Sequence, residues 1–477
     1  MKTIRWLPFA LLVAAAHAQP APPADAAFEG TWVGRVTAPN ASTEIGFAFI
    51  RRPKGLSARF AMPAMFVSGM NLGPAAVAGE VYTMPDLGIK LVRTGDALTG
   101  TFANPILRVE LHRGRELPPA LTMPAAPPAP APAWSRPLGA KVWASPAVRD
   151  GVVYVGTVDG KMHAVRAADG GEVWTWSGPH ALFGEALVTT DRVIFVDDAC
   201  DCVCLARADG SPRWRTALRS GPPAAANPTF NHRTAVPVPD GDTIYVGSTD
   251  GGLCALDAAN GAIRWRHELG APIHAAVALD GDRLLVAAFD GTVVALDRRT
   301  QAELARVKLG GPIASAPVVA GDTVLVGCRD YLLYGLRRGD LSIAWRNSFW
   351  FSWVESVPRV VDGIAYIGGS DYRRISALEP ATGAARWVTD VGGLTWGTPV
   401  VTANSVYAGT SAQNPAAIRH EGGITALDRR TGAVKWRHVV PLPPDADRAG
   451  YLGSLVVADG RLIGAGYDGT LVAFPVD

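Results

Sequence analysis

Charge is scarce in this chain. Asp, Glu, Lys and Arg together make up 18% of it, and 45 basic residues nearly balance 43 acidic ones, for a net charge of +2. The two signs are interspersed, and no basic stripe or block is present, so the electrostatic footprint of a nucleic-acid binder is excluded. Long apolar runs are missing too: after the N-terminal stretch no window reaches the ~18–20 apolar residues that a membrane-spanning helix needs. Cysteine is rare, with five residues at 200, 202, 204, 254 and 328, and the odd count leaves at least one thiol unpaired or paired between chains. No Cys-x-x-Cys-His is found, which excludes a covalently attached c-type haem. Phosphate-loop, Ser–His–Asp and helix-borne zinc motifs are absent as well.

What the chain has in quantity is glycine (52), proline (37) and hydrophobic residues (48%). That combination suits turn-rich β structure with a sizeable core better than helices. At 477 residues two domains, or one large repeat domain with an extra module, are expected. The N-terminus has the form of an export signal: "MKTIR", then the short apolar "WLPFALLVAAA", then the small residues Ala16 to Ala18. Residues 1–18 are therefore expected to be removed before Gln19, leaving a periplasmic or secreted protein. No cysteine follows the cleavage point, so no lipid anchor is expected. In "CDCVC", strand alternation puts Cys202 and Cys204 on one face, which predicts a structural role or a local disulfide. A metal site there would want further soft ligands, and the sequence places none.

A repeat of about 40 residues runs through the chain from residue 134 onward. Its copies end at Trp174, Trp214, Trp265, Trp345, Trp387 and Trp436, and one copy has Ala305 in the tryptophan position. Each copy holds four short strands, with an Asp-Gly or Asp-Tyr turn between the second and third at Asp159, Asp250, Asp290, Asp330, Asp371 and Asp468. Asp and Gly are turn formers, so these aspartates are predicted to shape hairpins rather than to catalyse. "VYVG"-type second strands number eight, from Val152–Gly156 to Leu462–Gly466, but the chain ends where an eighth outer strand would fall. Trp134 stands one repeat before Trp174, and "AWSRPLG" matches the outer strands. It is predicted to lend the last blade its missing strand, which leaves the ring no open edge. The fold class is therefore all-β: an eight-bladed β-propeller over 134–477, preceded by a Pro/Ala-rich linker at 116–133. Residues 28–115 alternate apolar and polar positions between Gly, Pro and Asn turns, which predicts a small antiparallel β barrel or sandwich.

The strands, turns and tryptophans of these copies resemble the pyrroloquinoline-quinone (PQQ) repeat family. In that family the tryptophans dock neighbouring blades, which implies a blade-docking role for Trp134, Trp174, Trp214, Trp265, Trp345, Trp387 and Trp436. The family holds PQQ-dependent alcohol and sugar dehydrogenases. It also holds non-enzymatic members, such as the propeller of the outer-membrane β-barrel assembly machinery.

Propeller function concentrates at the channel mouth. Alignment on the second strand puts Trp143, Gly184, Thr234, His274, Ala314, Glu355, Trp396 and Gly453 at the start of the eight inner strands, with Phe183, Glu185, Arg233, Trp353 and Tyr451 beside them. Irregular loops at 219–233 and 411–423 and the aromatic run 347–356 are assigned to the same face. From these, Trp143, Phe183, Glu185, Arg233, His274, Trp353, Glu355, Trp396 and Tyr451 are the candidate binding residues; the bland alternative is that Trp350, Trp353 and Trp396 merely plug the channel. A dehydrogenase would, by the resemblance, stack PQQ on Trp396, pair a carboxylate of it with Arg233 and hold Ca²⁺ on Glu185 or Glu355. Against that reading, adjacent cysteines are absent, no mouth aspartate stands out as a base, and the long cofactor-covering insertions are lacking. The expectation is a monomeric, non-catalytic envelope protein without cofactor or metal, binding a protein segment or small ligand at the mouth. The alternative is a PQQ- and calcium-dependent alcohol or sugar dehydrogenase.

Overall fold

A computed structural model describes residues 24–476 apart from 39–40, 54, 66, 75, 103, 121–124, 222–234, 351, 372 and 414–419. The signal-like segment 1–18 and Arg233 lie outside the described residues. Among the described residues helical structure is limited to three 3₁₀ turns, Ala24–Phe28, Pro63–Met65 and Pro85–Leu87, and no helix is long and apolar enough to cross a membrane.

The N-terminal unit is one nine-stranded antiparallel sheet: β1 (Gly30–Ala38), β2 (Ala41–Arg52), β3 (Gly55–Met62), β4 (Val67–Pro74), β5 (Ala76–Ala78), β6 (Val81–Met84), β7 (Ile89–Thr94), β8 (Ala97–Phe102) and β9 (Asn104–Gly114). The spatial order is β4-β3-β2-β1-β9-β8-β7-β6-β5. The two edge strands, β4 and β5, are consecutive in sequence with one residue between them. A single residue spans at most ~7 Å between its neighbours' Cα atoms. The edges must therefore meet, and the sheet curls into a nearly closed barrel rather than a sandwich. Alternation fills its interior with aromatics, among them Phe49 and Tyr82 with ring centroids 4.7 Å apart. Phe28, from the first 3₁₀ turn, is fully buried there, and its carbonyl accepts the Trp32 indole N–H at 2.8 Å.

The remainder is an eight-bladed propeller. Seven blades take all four canonical positions from one continuous stretch, running inner to outer, at 147–177, 187–217, 238–268, 278–308, 318–348, 359–390 and 400–440. The eighth draws three strands from 456–475, and its outer strand is β10 (Trp134–Pro137), paired antiparallel with Thr470–Pro475. The seventh blade's long second strand, Ser405–Gln413, also pairs with Arg448–Gly450. Residues before β10 are docked rather than free. Arg437 N–H donates to the Pro127 carbonyl and Ala129 N–H to the Arg437 carbonyl, both at 2.9 Å. The turn aspartates act on their hairpins: the Thr157 hydroxyl donates to Asp159 at 2.5 Å and the Ser248 hydroxyl to Asp250 at 2.6 Å. All five cysteines are buried free thiols, so the local disulfide considered for "CDCVC" is not formed. Cys200, Cys202, Cys204 and Cys254 share one apolar cluster between the second and third blades. Burial pushes the Cys204 and Cys254 thiols up to about 11.

The tryptophan column shows how blades lock. Trp134, Trp174, Trp345 and Trp387 each donate the indole N–H to a carbonyl of the following blade: Ala167 and Arg207 at 2.9 Å, Pro380 at 3.0 Å and Arg429 at 3.1 Å. Trp214 packs its ring on Gly261, and Trp436 lies 6.0 Å from Phe474 of the eighth blade. Trp265 meets Tyr245 of its own blade at 5.7 Å, the rings tilted by 43°. The glycine under each docked ring (Gly170, Gly210, Gly261, Gly383, Gly432) has positive φ, and a Cβ there would meet the indole within 3 Å. Where Ala305 replaces tryptophan, the next blade replaces that glycine with Leu341, fully buried at φ 60°. Arg338, whose carbonyl would have received the indole N–H, takes Arg283 instead at 2.9 Å. The buried Asp280 carboxylate anchors both guanidinium groups. Ala305→Trp is thus expected to overpack and cost about 1–3 kcal/mol in chemical denaturation, with Leu341→Gly restoring most of it in the double variant. A neutral single variant would show that Leu341 does not hold the indole's place.

The barrel sits against the fifth and sixth blades. One apolar cluster joins its core to Leu325, Phe349, Trp350 and Ile367, and Arg374 donates to the Ala64 carbonyl at 2.7 Å. Trp350, 3% exposed, belongs to this cluster and does not line the channel.

Candidate functional site

The inner strands converge so closely that small residues are needed where their lead-in segments cross. A Cβ on Gly397 would come within 2.6 Å of the Gly453 carbonyl, and one on Gly453 within 2.7 Å of the Ala144 carbonyl. Hydroxyls stitch this ring together: Ser454 N–H donates to Ser145 Oγ at 2.9 Å, Thr398 N–H to Ser454 Oγ at 3.0 Å, and Ser356 Oγ to the Gly397 carbonyl at 3.0 Å. Above the ring lies a cavity of about 140 Å³ with a wall from every blade. Trp143, Phe183, Gly184, Glu185, His274, Ala314, Glu355, Trp396 and Gly453 all line it.

Trp143 is the hub of its aromatic side. Its ring meets Trp396 at 6.5 Å and 79°, Phe183 at 6.4 Å and 90°, and Tyr467 at 6.0 Å and 72°. The Arg448 guanidinium covers both tryptophans, 5.2 Å from Trp143 and 5.6 Å from Trp396. On the opposite side the Arg329 guanidinium lies 4.4 Å from Trp353 and 4.9 Å from Phe289, and forms an ion pair with Glu355. His274 stands edge-on to Phe289 at 4.9 Å. Each guanidinium is thus held on two aromatic faces, an arrangement that stabilises a cation away from water. Burial raises the Asp371 carboxyl above its ordinary value, against the Ser370 hydroxyl that donates to it at 2.8 Å.

Two sequence candidates lie away from the cavity wall. Trp353 is half-buried beneath Arg329, one step back from the axis. Tyr451 is 2% exposed, packed between the seventh and eighth blades, and burial pushes its phenol well up. Arg329, Arg448 and Phe289 escaped a reading confined to the inner-strand column. A second column, the residue before each turn aspartate, contains Phe289, Arg329 and Tyr467, and would have pointed to three of the mouth groups.

Glu185 is distinctive. It makes no hydrogen bond or ion pair among the described residues, and burial pushes its carboxyl up to about 7, with the Arg359 charge pulling the other way. A raised folded-state pKa means full stability below the ordinary value of 4.5 and a loss as pH rises through about 7. Glu185→Gln should flatten that limb of a melting-temperature profile between pH 5 and pH 8 and melt higher than wild type at the alkaline end. An unchanged profile would show that Glu185 is not held neutral by its surroundings. No group of three or more His, Cys, Asp or Glu suited to a metal ion is found among the described residues.

These features define a class: an eight-bladed propeller of PQQ-like repeats with its cavity on the axis. The family model described as "Outer membrane protein assembly factor BamB" matches residues 127–273, 204–300 and 289–477, and the chain belongs to that family. A curated relative, outer membrane protein assembly factor BamB of Yersinia pestis, is 26% identical over 151 residues, 29% of this chain and 37% of that protein's length. Among solved structures, the computationally designed Ika8 protein matches with a TM-score of 0.56 at 16% identity, over 71% of this chain and 98% of that one. Quinohemoprotein alcohol dehydrogenase from Comamonas testosteroni matches with a TM-score of 0.56 at 14% identity, over 72% of this chain and 76% of that one. At these identities the two structural likenesses are of fold alone.

Proposed function

We propose that this protein is an exported, non-catalytic scaffold of the cell envelope whose propeller mouth binds a segment of another envelope protein. The observation that carries the reading is the axial cavity, walled by all eight blades and rimmed by Trp143, Phe183, Trp396, Glu185 and Glu355. Membership of a family described as an outer-membrane assembly factor supports a binding role. In this reading the chain acts as a monomer in the periplasm or outside the cell, with 28–115 as a barrel unit, 116–133 as the connection and 134–477 as the propeller.

The quinone-enzyme reading meets a chemical mismatch. PQQ is a planar quinone carrying three carboxylates, and such an anion asks for basic partners. The described cavity wall itself offers two carboxylates, and the nearby guanidinium groups are already engaged, Arg329 with Glu355 and Arg448 over the Trp143 and Trp396 rings. Two experiments separate the readings. Affinity capture from an envelope extract should recover a partner with the wild-type protein and lose it with Trp143→Ala or Trp396→Ala. Dye-linked alcohol or sugar oxidation after incubation with PQQ and Ca²⁺, abolished by Trp396→Ala, would overturn the scaffold reading.

A further inference from the structure

We propose that the axial cavity receives a primary alkylammonium group, with Glu185 as its counter-ion and Trp143, Phe183 and Trp396 as the walls around its alkyl stem. The inference rests on the mouth being the binding face. Four observations on this chain lead to it. The cavity's volume of about 140 Å³ admits the end of one side chain. Its described wall carries two carboxylates, Glu185 and Glu355, and the Arg359 charge acts on Glu185 without an ion pair. Glu355 already has its guanidinium in Arg329, whereas Glu185 has neither an ion pair nor a hydrogen bond among the described residues. The surrounding rings already hold two cations: Arg448 lies over Trp143 and Trp396, and Arg329 over Phe289 and Trp353.

A half-buried carboxyl beside aromatic rings is costly when ionised without a close partner, and an incoming cation removes that cost while its alkyl stem packs on the rings. A single carboxylate in a narrow recess matches a compact ammonium better than the planar fork of a guanidinium, which is recognised best by paired acceptors. The group could arrive as a lysine of a partner polypeptide or as a free amine, and both present the same chemistry.

Isothermal titration of the full-length protein with two probes, the peptide acetyl-Gly-Gly-Lys-Gly-Gly-amide and n-butylamine, tests this. Binding is expected for the wild type, weakened on the order of tenfold in Glu185→Gln, and lost when the lysine is Nε-acetylated. A melting curve of Glu185→Gln verifies that the variant is folded. Tighter binding of the peptide than of butylamine identifies a lysine side chain as the source, and equal binding identifies a free amine. No binding of either probe, or binding that Glu185→Gln and Nε-acetylation leave unchanged, overturns the proposal. Partner capture runs alongside: if it is lost in Trp143→Ala but retained in Glu185→Gln, the ammonium assignment fails while the mouth remains the binding face. Capture that ignores Trp143 and Trp396 removes the mouth reading itself.

Discussion

Deleting residues 129–139 should lower the thermal midpoint far more than removing 119–124, although both cuts begin in the same Pro/Ala-rich stretch. The first removes β10, the eighth blade's outer strand, together with the Ala133 N–H bond to the Ala473 carbonyl at 2.8 Å. It also removes Trp134, which docks on the first blade through the Ala167 carbonyl, and Arg136, whose guanidinium lies 2.6 Å from Glu172 of that blade. Truncating a docked tryptophan alone costs about 3–5 kcal/mol, so Trp134→Ala should reproduce much of the loss. The second cut spares every one of these contacts, and also the Pro118 carbonyl that accepts Ser68 at 2.8 Å. Equal midpoints for the two deletions in a differential scanning experiment would sink the closure argument.

Arg329→Ala should destabilise the propeller by about 3–5 kcal/mol, the usual cost of breaking a buried ion pair from one side. The Glu355 side chain is 1% exposed, and the guanidinium that neutralises it is itself only 10% exposed between two aromatic faces. Removing the arginine leaves the buried carboxylate without the guanidinium that neutralises it. A companion Glu355→Gln change removes the stranded charge, so Arg329→Ala with Glu355→Gln should be more stable than Arg329→Ala alone in urea titrations. If the double variant is no better, the loss comes from the rings' packing rather than from charge.

The propeller was legible because most blades restate the same physical requirements: apolar alternation, a turn aspartate, a glycine at positive φ and a ring to pack on it. Even its exception was visible as Ala305, although the compensating Leu341 and Arg283 are evident only once the blades are in contact. Barrel closure was harder, since alternation specifies a two-faced sheet but not which strands form its edges. The docking of Pro127 and Ala129 was hidden by composition. Proline lacks the N–H that signals a strand, and the bonds are carried by the Pro127 carbonyl, the Ala129 N–H and the backbone of Arg437. Tyr451 was assigned to the mouth from its place in a lead-in segment. In such a segment neighbouring side chains point in opposite directions, and one residue decides between cavity wall and interblade core. Arg448 lies in a segment with no counterpart in the other blades, so no repeat column pointed to it, and Arg329 lay in the turn column rather than in the inner-strand one.

The pairing of β10 with Thr470–Pro475 also sets a timetable. The barrel's strand pairings all fall within 30–114, ahead of every blade in the chain. Trp134 precedes all the other blade strands, yet its partner strand follows seven blades later in the chain. Distant contacts of this kind are slow to form because the chain between them must first be ordered. Without the final seam the blades can stack but the ring keeps an open strand edge, the kind of edge that invites pairing with another chain.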